Sequence, residues 1–189
     1  RVHSHAGHSM PGAHRLRDCR HRMRAVVHDR YGPPEVLRVA EVERPVPKED
    51  EVLVRVLAST VTRGDAMGVG HTDYAFTRVM TGIRRPRQTS FGSEFAGRVE
   101  DVGAAVTQFQ VGDEVFGVKG GANAEYVAVR ELGVVAPKPA GLTFEEATAI
   151  PDGALLALTC LQPGYPLQRK RVLVYGAAAL AEIGGCFAF

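Results

Sequence analysis

Three cysteines, seven histidines, a short run of arginines and one glycine turn carry most of the chemical potential of this 189-residue chain. Cys19, Cys160 and Cys186 lie far apart and none belongs to a C-x-x-C pair. Neither a zinc-finger nor a disulfide framework is expected, and a reducing, cytoplasmic setting fits that usage. Five of the seven histidines fall in residues 1–22, "RVHSHAGHSMPGAHRLRDCRHR", beside five arginines. Such a tract reads as a disordered extension. It could act as a loose metal-binding tract or a basic interaction tail, or it could be a non-native or upstream-translated segment, with Met23 as the natural start. His28 and His71 are isolated, and a lone imidazole is weak grounds for acid–base chemistry. "IRRPR" (83–87) places three arginines in one loop, either to attract an anionic substrate or a cofactor phosphate or simply to be solvated. "RVLVYG" (171–176) reads as a buried strand running into a glycine turn, as a dinucleotide-binding unit begins.

Bulk properties narrow the classes. The net charge of +2 divides into +4 over residues 1–22 and −2 over the rest. The body therefore lacks the basic face that tracks a phosphate backbone, and no nucleic-acid partner is expected. No apolar run approaches the roughly 20 residues that cross a bilayer, so no membrane partner is expected either. No secretory leader is visible.

The elements that would position any site are mostly β. Arg24–His28 is a strand, Tyr31–Pro34 a turn and Val36–Val42 a second strand. "EVLVRVLAST" (51–60) alternates in the manner of a sheet covered on one face and largely on the other. "EFAGRVEDVG" (94–103), "DEVFGV" (113–118), "AEYVAV" (124–129) and "GVVAP" (133–137) are further short strands, with Gly or Pro between most of them. Strands of that length and spacing predict a closed or nearly closed β-barrel. "LTFEEATAI" (142–150) then reads as a helix with Thr143 as N-cap and Glu145 and Glu146 in its first turn. Pro151 interrupts it, and 152–162 reads as a second, largely buried helix. The change from barrel to helices and one α/β-type strand places a domain boundary near 150–170.

Five blocks carry a resemblance: "MRAVVHDRYGPPEVLRV", "EVLVRVLASTVTRGD", "GSEFAGRVEDVGAAVTQFQVGDEVFG", "GGANAEYVAV" and "LTFEEATAIP". In this order and spacing the chain resembles the medium-chain dehydrogenase/reductases, and within them the zinc-independent, quinone-oxidoreductase-like branch. The resemblance covers about residues 23–176. It implies a mainly β fold with a few helices, a GroES-like β-barrel followed by the first strand of an incomplete Rossmann domain. The expected organisation is a disordered extension over 1–22, a GroES-like catalytic domain over 23–150, and a linking helix with the start of a nucleotide-binding domain over 151–189.

The implied chemistry is hydride transfer from NADPH or NADH to a small-molecule quinone, enone or related carbonyl, with a homodimer left open. No zinc is expected. Thr62 and Ser93 stand where zinc-dependent members carry Cys and His, the third ligand aligns near Asp152, and hydroxyls do not ionise near neutral pH. Without a metal, the resemblance makes Thr62 the donor beside the nicotinamide that polarises the substrate oxygen. Asp65 keeps the family residue and is either catalytic or an N-cap or turn-fixing acid. Ser93 and Glu94 are expected to line the substrate cleft, Glu94 otherwise being a structural acceptor inside the barrel. Gly176 and Ala177 are the expected cofactor-binding residues.

That turn departs from the family pattern G-A-S-G-x-x-G. In "GAAALAEIGG" (176–185), Ala179 and Glu182 stand where the second and third glycines belong, and a carboxylate there repels a pyrophosphate. The chain is therefore expected to be the substrate-side half of an oxidoreductase, inactive by itself. The alternative is a non-catalytic barrel fragment or a binding or assembly module.

Overall fold

A computed structural model describes residues 21–70, 82–83, 85–87 and 89–161. Strand β1 (Arg22–Val27) pairs with β2 (Arg38–Glu43) as an antiparallel ribbon. A second sheet holds β3 (Glu51–Ser59), β4 (Glu94–Val102), β5 (Glu114–Val118), β6 (Tyr126–Arg130) and β7 (Val135–Pro137). Its order is β6-β3-β4-β5-β7 and every pairing is antiparallel. Three helices complete the described chain: α1 (Arg63–Val69), α2 (Phe144–Thr148) and α3 (Pro151–Leu161).

The five-stranded sheet is curled into a half-barrel. Its β3–β4 register shifts at Leu53/Val54 and again at Val56/Ala58, and such irregularities bend a strand and raise its twist. The curl encloses Val52, Val54, Phe95, Val99, Val115, Ala122, Val127 and Val129. Glu51–Val54 are buried on both faces, whereas the second half of β3 alternates, as a strand leaving the core should. β1 closes one side of the curl. Val26 N–H donates to Asn123 O (2.8 Å), Phe91 N–H to Val26 O (2.9 Å) and Glu125 N–H to Arg24 O (3.0 Å). A smaller cluster of Val36, Val69 and Phe91 fills the space beneath the ribbon.

Several expectations shift by a few residues. Val36 belongs to a single 3-10 turn, Pro34–Val36, and β2 starts only at Arg38. A proline at the first turn position presets that geometry. β1 takes in Arg22, whose guanidinium pairs with Glu41 at 3.3 Å. The helix α1 has no counterpart in the sequence reading. Thr143 caps α2 as expected: Glu146 N–H donates to its hydroxyl (3.2 Å), while Thr143 N–H donates to Glu146 Oε2 (2.8 Å). Pro151 opens α3, where a missing N–H is tolerated. The strand expected at 171–176, His71 and residues 1–20 lie outside the described residues. Among the described residues no helix is long and apolar enough to cross a membrane.

One ion pair on β1 makes stability depend on pH. The Glu125 carboxylate accepts Arg24 N–H at 2.9 Å and Arg24 Nε–H at 3.0 Å. The hydrogen bond from the Arg24 backbone, then that from its side chain, holds the Glu125 carboxyl below its ordinary range. A depressed folded value means that the unfolded chain binds the proton more readily. The contribution is present above the unfolded value and is lost as pH falls through the folded one. With the Glu125 side chain 41% exposed, it amounts to no more than about 1 kcal/mol. Between roughly pH 5 and pH 3 the urea midpoint of the wild-type chain should fall more steeply than that of Glu125→Gln. Parallel profiles would remove the pair from the account.

Candidate functional site

The site begins with a seven-residue helix that its own composition disfavours. α1, RGDAMGV, contains Gly64 and Gly68, and each interior glycine costs about 1 kcal/mol relative to Ala. Its ends compensate. Thr62 is the N-cap: its hydroxyl accepts Asp65 N–H at 3.1 Å, and Asp65 Oδ2 accepts Thr62 N–H at 2.8 Å. The same carboxylate oxygen accepts the Thr62 hydroxyl proton at 2.9 Å. Gly70 ends the helix in the left-handed region at φ 93°. Val69 anchors it in the smaller cluster.

A cavity of about 350 Å³ opens between this helix, the residue after β1, and the loop that leads into β4. His28, Asp65, Arg87, Phe91 and Ser93 line it, with glycine backbone between them. Gly68 contributes a flat stretch of wall, because a Cβ added there would meet nothing within 4 Å. Gly92 lines the cavity as well, held at φ 91° with its Cβ direction filled by Asn123 and its carbonyl accepting Gly121 N–H at 2.8 Å. A cavity with this lining offers a small ligand open space at Gly68 and polar groups at Asp65, Arg87 and Ser93.

The structure thus brings Asp65 and Ser93 to one cavity. Thr62 stands behind Asp65, its hydroxyl already committed to the carboxylate, so it must turn away from Asp65 before it can donate to a ligand. Asp65 fixes the start of α1 from the third helical position, with Thr62 as the N-cap. Glu94, the first residue of β4, is not among the residues that line the cavity with Ser93. Its side chain is 4% exposed; it accepts the Thr60 hydroxyl through Oε2 and Asp152 N–H through Oε1 at 3.1 Å. That arrangement is the structural-acceptor alternative. Asp152 presents its backbone to Glu94 and its side chain is exposed. Gly176 and Ala177 lie outside the described residues.

Two lining residues carried only weak signals in the sequence. Arg87, from the arginine run, is exposed at the cavity's edge, where it can meet a negative group. His28 is 5% exposed, and its backbone N–H donates to Thr89 O at 2.8 Å. A signal existed in its place directly after a half-buried strand, but nothing in the chain announces the loop that meets it. The side chains at Thr62 and Ser93 are hydroxyls, poor zinc donors. Among the described residues no three His, Cys, Asp or Glu side chains converge in the way a metal ion needs.

Comparison with known proteins gives the site a context. Residues 48–156 match the family model described as the alcohol dehydrogenase GroES-like domain. A quinone oxidoreductase of Lama guanicoe is 33% identical over 174 residues, covering 87% of this chain and 48% of that protein. A 2-methylene-furan-3-one reductase of Solanum lycopersicum is 32% identical over 170 residues, covering 82% of this chain and 41% of that protein. The structure of Escherichia coli quinone oxidoreductase complexed with NADPH superposes with a TM-score of 0.59 at 26% identity, covering 76% of this chain and 41% of that one. The chain spans about half the length of the curated relatives it matches.

Proposed function

This chain belongs to the alcohol dehydrogenase GroES-like domain family, within the quinone-oxidoreductase-like medium-chain dehydrogenase/reductases, and on that premise we propose that it forms the substrate wall of an NADPH-dependent reductase of quinones, enones or related conjugated carbonyls. The observation that carries this reading is the meeting of Asp65 and Ser93 in one cavity beside the capped end of α1. A conjugated carbonyl is planar, and the open space beside Gly68 lets a planar ring lie close to that wall. The Ser93 hydroxyl can donate to the ring oxygen, and preformed donors at a developing oxyanion lower the barrier to its formation.

The reduced nicotinamide, when bound, supplies the hydride. Thr62 would stand beside that ring and donate to the substrate oxygen once its hydroxyl turns away from Asp65. Gly176 and Ala177 would receive the pyrophosphate, and Glu182 so close to them weakens this chain's own hold on it. Substrate recognition is therefore the property proposed for this chain, and its direct test is ligand binding. A naphthoquinone should quench tyrosine fluorescence saturably, and Ser93→Leu, which fills the cavity, should weaken that binding at least about tenfold. An unsaturable, variant-independent signal would sink the reading. NADPH-dependent turnover by the chain would extend it to a complete reductase.

A further inference from the structure

His28 is the one lining residue of the cavity that is both buried and left with an unengaged polar atom. Its Nδ1 lies 3.3 Å from the Arg30 carbonyl oxygen. A carbonyl only accepts, so Nδ1 carries the hydrogen, and in the neutral ring Nε2 is then an acceptor. Among the described residues no protein group bonds to Nε2. The other charged lining groups are placed differently. Asp65 Oδ2 is held by Thr62, and Arg87 is exposed at the edge. The His28 backbone is fixed by its bond to Thr89 O, directly after a strand tied on both sides, and the ring is held by the Nδ1 contact with Arg30 O.

An acceptor nitrogen on a residue that lines this cavity favours a ligand that carries a hydroxyl. We propose that His28 Nε2 binds a hydroxyl oxygen of an aromatic diol, the reduced form of a quinone. This rests on the reading of the cavity as a quinone site. One hydride and one proton convert a quinone into its hydroquinone, so the product bears a hydroxyl at each former carbonyl, whereas the quinone bears none. A neutral His28 thus distinguishes product from substrate by accepting a hydrogen bond that only the product can donate. Burial of the ring strengthens the distinction, because a buried acceptor facing a carbonyl oxygen stays unsatisfied.

The test uses the whole chain without nicotinamide, under anaerobic conditions. Naphthohydroquinone and its dimethyl ether, which lacks the hydroxyl hydrogens, are titrated in parallel, with proton–nitrogen NMR of the imidazole rings as the readout. The expected result is a saturable shift of the His28 Nε2 resonance with the hydroquinone and none with the ether. His28→Phe should weaken hydroquinone binding about tenfold and ether binding less than about twofold, and His28→Gln, which keeps an acceptor oxygen near the Nε2 position, should recover part of the loss. Because the NMR shift is read on the wild-type chain, it stands even if a variant folds poorly. Saturable hydroquinone binding without a shift at His28 would overturn this proposal and leave the quinone site intact. No saturable binding of quinone or hydroquinone would overturn both.

Discussion

Glu94→Ala is expected to lower the unfolding free energy by about 3 kcal/mol, read from the urea midpoint at constant slope. The side chain is 4% exposed and its two oxygens serve two separate elements. One accepts the hydroxyl of Thr60, just past the end of β3, and the other accepts Asp152 N–H in the first turn of α3. The second bond answers a local deficiency. α3 is preceded by Ile150, whose side chain cannot cap, and its first residue is a proline. The acceptor that Ile150 lacks comes instead from a carboxylate 58 positions earlier in the chain. Removing it leaves a hydroxyl and a helix-terminal N–H without a partner in a buried place, and also takes a negative charge from the positive end of the helix. Glu94→Gln keeps the shape but turns one acceptor into a donor, so roughly half the loss should remain. An alanine variant within about 0.5 kcal/mol of wild type would show that water replaces the carboxylate at no cost.

Gly97→Ala should be at least as damaging, for a steric reason. Gly97 lies mid-strand in β4, between Val56 of β3 and Val115 of β5. A Cβ at Gly97 would sit 2.0 Å from the Arg55 carbonyl oxygen and 2.9 Å from its carbon. Both are backbone atoms, so relief requires moving β3, which carries Val52 and Val54 of the main core. A loss of about 3 kcal/mol or more is expected, a large share of a domain's usual stability of about 5–15 kcal/mol. Gly68→Ala is the control of equal chemistry: its Cβ meets open space, and a helical alanine there should be neutral or stabilising by up to about 1 kcal/mol. Equal thermal midpoints for the two variants would remove the close β3–β4 approach as the cause.

The strands were legible because burial imposed a pattern on them. Val52, Val54 and Val56 alternate along β3, and Gly or Pro marks most strand ends. Thr143 and Glu146 announced α2 by a spacing that is itself a hydrogen-bond geometry. The same spacing, Thr62 to Asp65, opens α1 but went unread, because two glycines in seven residues masked any apolar period. What stayed hidden was whatever depends on distant partners. Nothing local to Glu94 points to Asp152. His28 looked isolated because the walls around it come from three separate stretches, and a cavity has no signature in any one of them. Arg87 was readable as a charge but not as a cavity residue, since a solvated loop and a binding loop have the same composition.

The order of the sheet also governs when this protein can become itself. β3 pairs on one side with β6, and Arg55 meets Tyr126 only after about 70 further residues have been made. At about 5–20 residues per second, a ribosome takes several seconds to deliver them. Through that interval Glu51–Val54, destined for full burial, lack first both sheet neighbours and then, once β4 has been made, the one along their other edge. Long-range antiparallel closure is slow in any case. Yield in the cell is then set less by final stability than by how well a nascent chain with an unfinished sheet edge is shielded, and slower synthesis or scarcer chaperones would show first as aggregation.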